Sequence, residues 1–123
     1  MQKELVIVDT EAAHLAQILQ DSGLKVHAAC TLEEAVDILN AVKPLIVSIE
    51  DGIPARNGNL YGAMLAQACQ LVFDNVRIIG LCNEFKTDFY RCCDAIITKK
   101  GDYHSEYKKI IMEFSHAAGK PVS

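Results

Sequence analysis

The chain has 123 residues, of which 50% are hydrophobic and 23% are charged, so it is long enough for one domain and too apolar to be wholly disordered. Its formal net charge of -4 disfavours direct contact with nucleic acid, because proteins that bind DNA or RNA usually carry a basic surface. None of its apolar runs approaches the roughly 20 residues needed to span a bilayer, so we expect no membrane segment.

Short apolar runs alternate with helical patterns along the chain. In chain order the pattern predicts strand 4–8, helix 11–22, strand 24–30, helix 32–42, strand 45–49, helix 59–73, strand 76–81, a short helix 85–93, strand 95–98 and helix 102–118. Gly23 is a stop signal for the first helix, and Thr31 with Glu34 forms a capping box that opens the second.

The first, second, third and last predicted helices carry apolar stripes that we expect to face the core. The stripe of the first is Ala12, Leu15, Ala16 and Leu19, and that of the last is Tyr103, Tyr107, Ile110, Ile111, Phe114 and Ala118. The stripe of the second helix is Leu32, Ala35, Val36, Leu39 and Val42, and that of the third is Leu60, Met64, Ala68 and Leu71.

Five strand-then-helix units in series predict an α/β fold, a doubly wound five-stranded parallel sheet with helices on both faces. We expect one domain over residues 1–118, followed by a tail or the start of a linker at 119–123. In such a sheet the functional crevice lies at the carboxyl ends of the strands.

Several chemically active residues stand at those strand ends. They are Asp9, Thr10, Glu50, Asp51, Cys82 and Lys99. Acids with a lysine at one edge suit a hard divalent cation and a phosphoryl group. The alternative is that acids between a strand and a helix only cap the helix, and for Asp9 the two interpretations are equally good.

The order of three motifs resembles the receiver domains of two-component response regulators, over nearly the whole chain. Residues 5–9 resemble the receiver strand that ends in a pair of acids. Residues 45–54, followed by Gly58, resemble the third strand and its loop, where the family has its phosphoacceptor Asp four residues before a Pro. Residues 93–99 resemble the fifth strand, which ends in the lysine of the family, here Lys99. The resemblance implies a flavodoxin-like (βα)5 fold with strand order 2-1-3-4-5.

The sequence departs from the family pattern at residues that carry the family's phosphorylation chemistry and its conformational switch. Glu50 replaces the phosphoacceptor Asp, Thr10 replaces the second acid, Cys82 replaces a hydroxyl, Ile96 replaces the aromatic switch residue, and Lys100 replaces a Pro. A shift of strand 45–49 by one residue would make Asp51 the acceptor, although the spacing to Pro54 favours Glu50.

These replacements predict a pseudo-receiver, a receiver-like signalling domain whose phosphoacceptance is lost or impaired. We expect Lys99 to pair with Glu50 or Asp9. We expect neither catalysis nor a cofactor, and if Mg²⁺ binding is retained it is weak and uses Asp9, Glu50 and Gly52. Two alternatives stay open: a phosphorylation-competent, Mg²⁺-dependent receiver that uses Glu50 or Asp51, and a flavodoxin-like module that binds a small molecule.

The resemblance also implies a protein-binding surface on the fourth helix, fifth strand and fifth helix. The residues expected there are Phe85, Phe89, Tyr90, Ile96, Lys100 and Tyr103, although the stripe of the last helix favours a core position for Tyr103. A histidine kinase, an output domain or a scaffold is the expected partner, and homodimerisation is an open option.

Five cysteines, irregularly spaced and without a CxxC pair, are expected to be reduced thiols, most of them small apolar fillers. Because the sequence also begins without an apolar signal segment, we expect a cytoplasmic protein.

Overall fold

The computed structural model describes residues 2–59, 61–84 and 87–118. Strands and helices alternate along the chain. In order they are β1 (Glu4–Val8), α1 (Ala12–Ile18), β2 (Lys25–Ala29), α2 (Leu32–Ala41), β3 (Ile46–Glu50), α3 (Gly62–Val72), β4 (Arg77–Cys82), α4 (Thr87–Arg91), β5 (Ala95–Thr98) and α5 (Tyr103–Ala118).

All strand pairs in the sheet are parallel, and the strand order is β2-β1-β3-β4-β5. The predicted α/β fold and strand order are therefore confirmed. Every residue of β3 is buried, as expected for a central strand covered on both faces. The register pairs Val8 with Ile49 and Glu50 with Leu81, so the carboxyl ends of the central strands lie at one edge of the sheet.

The core has two parts, one on each face of the sheet. On one face α1 and α5 pack through Leu15, Tyr107 and Ile111 against the strands. On the other face α2, α3 and α4 cover the alternate strand residues, with Leu65 and Phe89 in the buried cluster. This division fixes which strand side chains reach the α1–α5 face.

The predicted start of α2 agrees with the structure, and the predicted end of α1 does not. The predicted capping box is confirmed, because the backbone N–H of Glu34 donates to Thr31 Oγ1 at 3.2 Å. Helix α1 ends at Ile18, four residues before the predicted end, and turns lead from there to Gly23, whose φ is 82°. The predicted tail at 119–123 lies outside the described residues.

The prediction of which face of α3 packs on the core was wrong. Met64 is 63% exposed and Leu71 is 82% exposed, whereas Leu65, Ala66 and Cys69 are buried. Ala68 is exposed as well, and Leu60 lies outside the described residues. In α2 the predicted stripe holds except at Val36, which is 43% exposed.

Helix α4 packs closely on β4 because Gly80 has no side chain. A Cβ at Gly80 would come within 2.6 Å of Phe89 Cε2 and within 2.7 Å of both Cys93 Sγ and Ile96 Cδ1. Because of this close approach, Phe89 is almost fully buried, at 1% exposure. Within the described parts of the chain, none of the helices combines the length and apolarity that a bilayer crossing requires.

Candidate functional site

Three charged side chains from three strand ends meet at the carboxyl edge of the sheet. Asp9 follows β1, Glu50 is the last residue of β3, and Lys99 follows β5. Although Asp9 and Lys99 are ninety positions apart in sequence, parallel pairing brings their strand ends to the same edge.

Lys99 lies between the two carboxylates and is bonded to both. Its Nζ donates to Asp9 Oδ1 at 2.8 Å and to Glu50 Oε2 at 3.0 Å. The three side chains are nearly inaccessible, at 8% exposure for Lys99, 0% for Asp9 and 11% for Glu50. The predicted pairing of Lys99 therefore occurs with both acids at once.

The second oxygen of Glu50 is held by Thr10. Both the backbone N–H and the hydroxyl of Thr10 donate to Glu50 Oε1, each at 2.9 Å. Each oxygen of the Glu50 carboxylate thus accepts at least one hydrogen bond, and the two-point attachment fixes the side chain in one position.

Burial and hydrogen bonding act in opposite directions on the pKa values of this cluster. Burial raises the pKa of Asp9, and the hydrogen bond from Lys99 only partly opposes that rise. Burial also acts to raise the pKa of Glu50, but the hydrogen bonds from Thr10 and Lys99 outweigh it, so the pKa is lowered. For Lys99, burial would lower the pKa, yet the bonds to Asp9 and Glu50 raise it. Lys99 is therefore a permanent ammonium ion at neutral pH.

Glu11, which was not among the predicted site residues, extends the cluster outward. Glu11 Oε2 accepts from Lys99 Nζ at 3.3 Å and from the hydroxyl of Tyr103 at 2.8 Å. Burial and the bond to Glu11 raise the pKa of Tyr103 to about 12. No motif marks Glu11, because it becomes a neighbour of Lys99 and Tyr103 only through the fold. It connects the strand-end cluster to the first turn of α5.

Asp9 both caps the start of α1 and takes part in the charged cluster, so the two interpretations of this acid hold together. Its Oδ1 accepts from the backbone N–H of Glu11 at 2.8 Å as well as from Lys99. Its Oδ2 is buried and has no hydrogen-bond partner among the described residues. A buried carboxylate oxygen without a hydrogen-bond partner is energetically costly.

Glu50 lies on the α1–α5 side of the sheet, as Ser48 does, where Tyr107 donates to Ser48 Oγ at 2.8 Å. Among the described residues, the carboxylates that pair with Lys99 are Asp9, Glu11 and Glu50.

The remaining predicted pocket residues lie beside the cluster. The Cys82 backbone carbonyl accepts the N–H of Lys99 at 2.8 Å, but its thiol is 2% exposed within the core on the α2–α4 face. Gly52 is half-buried in the turn after β3. Cys82 accordingly fills core space, as expected for most of the cysteines.

Mg²⁺ prefers near-octahedral oxygen ligands and binds through one or two carboxylates. Both oxygens of Glu50 are engaged by Thr10 and Lys99, and the Lys99 ammonium is 2.8 Å from Asp9. Among residues 2–59, 61–84 and 87–118, no three His, Cys, Asp or Glu side chains are grouped to hold a metal ion. A metal ion at this edge would compete with the Lys99 ammonium for the oxygens of Asp9 and Glu50.

The predicted interaction surface is only partly accessible. Tyr90 is 52% exposed and Lys100 is exposed. Ile96 and Tyr103 are half-buried and pack against the two core clusters. The expectation for Phe89 was wrong: it is buried, because Gly80 leaves room for its ring. Phe85 lies outside the described residues.

Known structures share the whole architecture. The chain superposes with a TM-score of 0.78 on a two-component response regulator from Clostridium difficile, at 16% identity over 97% of this chain and 100% of the other. A receiver domain protein from Methanospirillum hungatei matches with a TM-score of 0.76, at 18% identity over 94% and 96% of the two chains. The fold is that of a response-regulator receiver domain.

A third receiver structure shows the chemistry that the fold can carry. A regulator from Burkholderia pseudomallei, solved with a phosphorylated aspartic acid, a calcium ion and citrate, matches with a TM-score of 0.71 at 17% identity, over 99% of this chain and 78% of the other. No protein-family model matches the sequence, and no curated protein matches it. At these identities the likeness establishes the receiver fold, and the chemistry depends on the residues of this chain.

Proposed function

We propose that this chain is an atypical receiver domain of two-component signalling, which acts by protein–protein contact and has lost phosphoacceptance. The observation that carries the proposal is the closed strand-end cluster. Lys99 is bonded to both Asp9 and Glu50, and Thr10 holds the remaining oxygen of Glu50.

Phosphotransfer to a receiver requires a carboxylate nucleophile with an accessible oxygen. Glu50 stands at the phosphoacceptor position, but it is one methylene longer than Asp and both of its oxygens accept hydrogen bonds. A misplacement of about 1 Å costs on the order of 10² in rate, even before the hydrogen bonds are broken. Glu50 serves in this account as a fixed negative charge and not as an acceptor.

The transferring phosphoryl group also needs positive charge and hydrogen-bond donors. In this chain Thr10 stands where the family has a second metal-binding acid, and the Cys82 thiol is directed into the core. Lys99 is engaged by two buried carboxylates. We therefore propose no cofactor and no enzymatic activity of its own for the domain.

The proposed partners are signalling proteins: a histidine kinase, an output domain or a scaffold, in the cytoplasm. The accessible part of the α4–β5–α5 surface includes Tyr90 and Lys100. An exposed tyrosine is a typical anchor at protein interfaces. Since Ile96 replaces an aromatic and packs on the core, this surface has no ring at that position to change its state.

A two-dimensional amide NMR titration with Mg²⁺ and beryllofluoride, a phosphoryl mimic, tests the proposal. We expect the resonances of Asp9, Glu50, Cys82 and Lys99 to stay in place. A Thr10→Asp/Glu50→Asp double variant, which restores the acids of the family pattern, is the positive control and should shift.

Clustered shifts in the unmodified chain that disappear in Glu50→Gln would establish a working receiver and refute the proposal. Shifts that persist in Glu50→Gln but disappear in Asp51→Asn would identify Asp51 as the acceptor instead. A ligand that co-purifies with the chain in native mass spectrometry would support a small-molecule binding module in place of a signalling domain.

A further inference from the structure

The loop between β3 and α3 contains an Asn–Gly pair, Asn57 and Gly58. Both residues are exposed. Gly58 has a φ of 82°, and no atom lies within 4 Å of the position that a Cβ would take there. Because glycine has no side chain, nothing on Gly58 hinders the Asn57 side chain from approaching the backbone nitrogen between the two residues.

An asparagine in this position can lose its side-chain amide without an enzyme. The Gly58 nitrogen gives its proton to a base in solution and attacks Cγ of Asn57, so that an N–Cγ bond forms. The Cγ–Nδ2 bond breaks, and Nδ2 takes up a proton and leaves as ammonia. Water then opens the cyclic imide at one of its two carbonyl carbons, which leaves an aspartate or an isoaspartate at this position. No oxidant or reductant takes part.

The same reaction is hindered at the other asparagines of the chain. Asn40, Asn59, Asn75 and Asn83 precede Ala, Leu, Val and Glu, respectively. Each of these following residues has a Cβ next to the nitrogen that would attack. Asn57 is therefore the asparagine that should convert first.

The structure holds both ends of the Asn57 amide. Its Oδ1 accepts the backbone N–H of Asn59 at 2.9 Å, and its Nδ2 donates to the Tyr61 hydroxyl oxygen at 2.8 Å. The Gly58 N–H donates to the Ala55 carbonyl at 3.0 Å. Each of these bonds that is lost on the way to attack adds to the barrier, so the folded loop slows the reaction.

Tyr61 provides the one bond of this set that a conservative substitution removes. Its hydroxyl accepts from Asn57 and, at 3.4 Å, from the side chain of Asn59. Tyr61 is the N-cap of α3, but its side chain makes no capping hydrogen bond to the helix. Removing the hydroxyl therefore frees the Asn57 amide and leaves the start of the helix unchanged.

We propose that Asn57 is a site of deamidation through a succinimide, and that the Tyr61 hydroxyl slows the reaction by holding the side-chain amide. Conversion adds one carboxylate to the loop that follows Glu50, in a chain whose formal net charge is already -4. The inference rests on this loop alone and is independent of phosphoacceptance.

The product also reverses a hydrogen bond at Tyr61. In the unmodified chain the amides of Asn57 and Asn59 donate to the phenol oxygen and lower the pKa of Tyr61. An ionised carboxylate only accepts hydrogen bonds, so the phenol must donate to it, and the pKa of Tyr61 should rise. A pH titration of Asn57→Asp by ¹³C NMR of the tyrosine rings measures this rise against the unmodified chain.

Peptide mass spectrometry during incubation at mildly alkaline pH tests the proposal. We expect Asn57 to convert before the other asparagines and to yield both aspartate and isoaspartate peptides. Tyr61→Phe should raise the rate at Asn57 in the folded chain about three- to tenfold, the factor that one hydrogen bond of ordinary strength makes. In concentrated urea the two chains should convert at the same rate, because no hydrogen bond then holds the amide.

Gly58→Ala, compared with the unmodified chain in urea, is the control for the chemistry and should convert more slowly. Far-UV circular dichroism verifies that Tyr61→Phe is folded. The proposal would be overturned by conversion that begins at another asparagine, or by a folded chain whose Asn57 stays intact while the chain in urea converts completely. A rate for folded Tyr61→Phe that equals or falls below that of the unmodified chain would overturn it as well.

Discussion

Replacing Lys99 by Met tests the closed cluster most informatively. The change removes the ammonium that lies 2.8 Å from Asp9 and 3.0 Å from Glu50 while keeping a side chain of similar length. Asp9 and Glu50, whose side chains are 0% and 11% exposed, then face each other without a counter-ion. Removing one partner of a buried ion pair costs about 3–5 kcal/mol of unfolding free energy. For a domain of this size, the melting temperature should fall by about 10–20 °C.

The contribution of Glu50 to the pH dependence of stability should change sign in the variant. In the unmodified chain the lowered pKa of Glu50 contributes stability above the ordinary glutamate pKa, and this contribution is lost as the pH falls through the folded value. Without Lys99, burial dominates at both carboxyls and raises their pKa values. The folded variant then takes up a proton at a higher pH than the unfolded chain does, so it should gain stability relative to the unmodified chain as the pH falls toward the ordinary carboxyl pKa values.

Urea denaturation followed by far-UV circular dichroism measures both effects, since the chain has no Trp. Lys100→Met, at the exposed neighbouring position, is the control and should change the unfolding free energy by less than about 0.5 kcal/mol. A loss below about 1 kcal/mol for Lys99→Met, or a stability deficit relative to the unmodified chain that grows on acidification, would show that the two carboxylates do not depend on Lys99.

Three further predictions concern the core. Tyr107→Phe leaves Ser48 unpaired and should cost about 1–3 kcal/mol of unfolding free energy, part of which Ser48→Ala should recover in urea denaturation. Gly80→Ala forces a Cβ into the side chains packed on β4 and should cost about 1–3 kcal/mol, and an unchanged melting temperature would contradict this packing. Alkylation at pH 8 should modify the exposed Cys30 well before Cys93, whose pKa burial raises to about 12, and peptide mass spectrometry gives the order.

The sheet could be predicted from sequence because its signals are local. The run Leu45–Ile49 is apolar apart from Ser48, and it forms the buried central strand with an internal hydroxyl that Tyr107 satisfies. Asp9 and Lys99 could be placed at one edge because parallel strands align their carboxyl ends. The sequence could not show that Lys99 bonds Asp9 and Glu50 at the same time, since that depends on the geometry of the edge.

The errors have a common physical cause. Helix α3 has apolar residues around most of its circumference, so periodicity alone did not distinguish the Met64–Leu71 stripe from the inward face. Phe89 was expected at the surface, but it is buried because Gly80, in another element, has no side chain and leaves room for its ring. No local signal around Phe89 indicates this. Glu11 was missed because its partners are distant in sequence. Each of these features is decided by tertiary packing.

Direct phosphoryl transfer is the measurement that tests the central claim most sharply. The unmodified chain and Thr10→Asp/Glu50→Asp are incubated with acetyl phosphate and Mg²⁺, and intact mass is recorded over time. We expect the unmodified chain to gain no mass, because Lys99 and Thr10 hold both oxygens of Glu50. A gain of one phosphoryl group, abolished by Glu50→Gln, would contradict the claim that phosphoacceptance is lost.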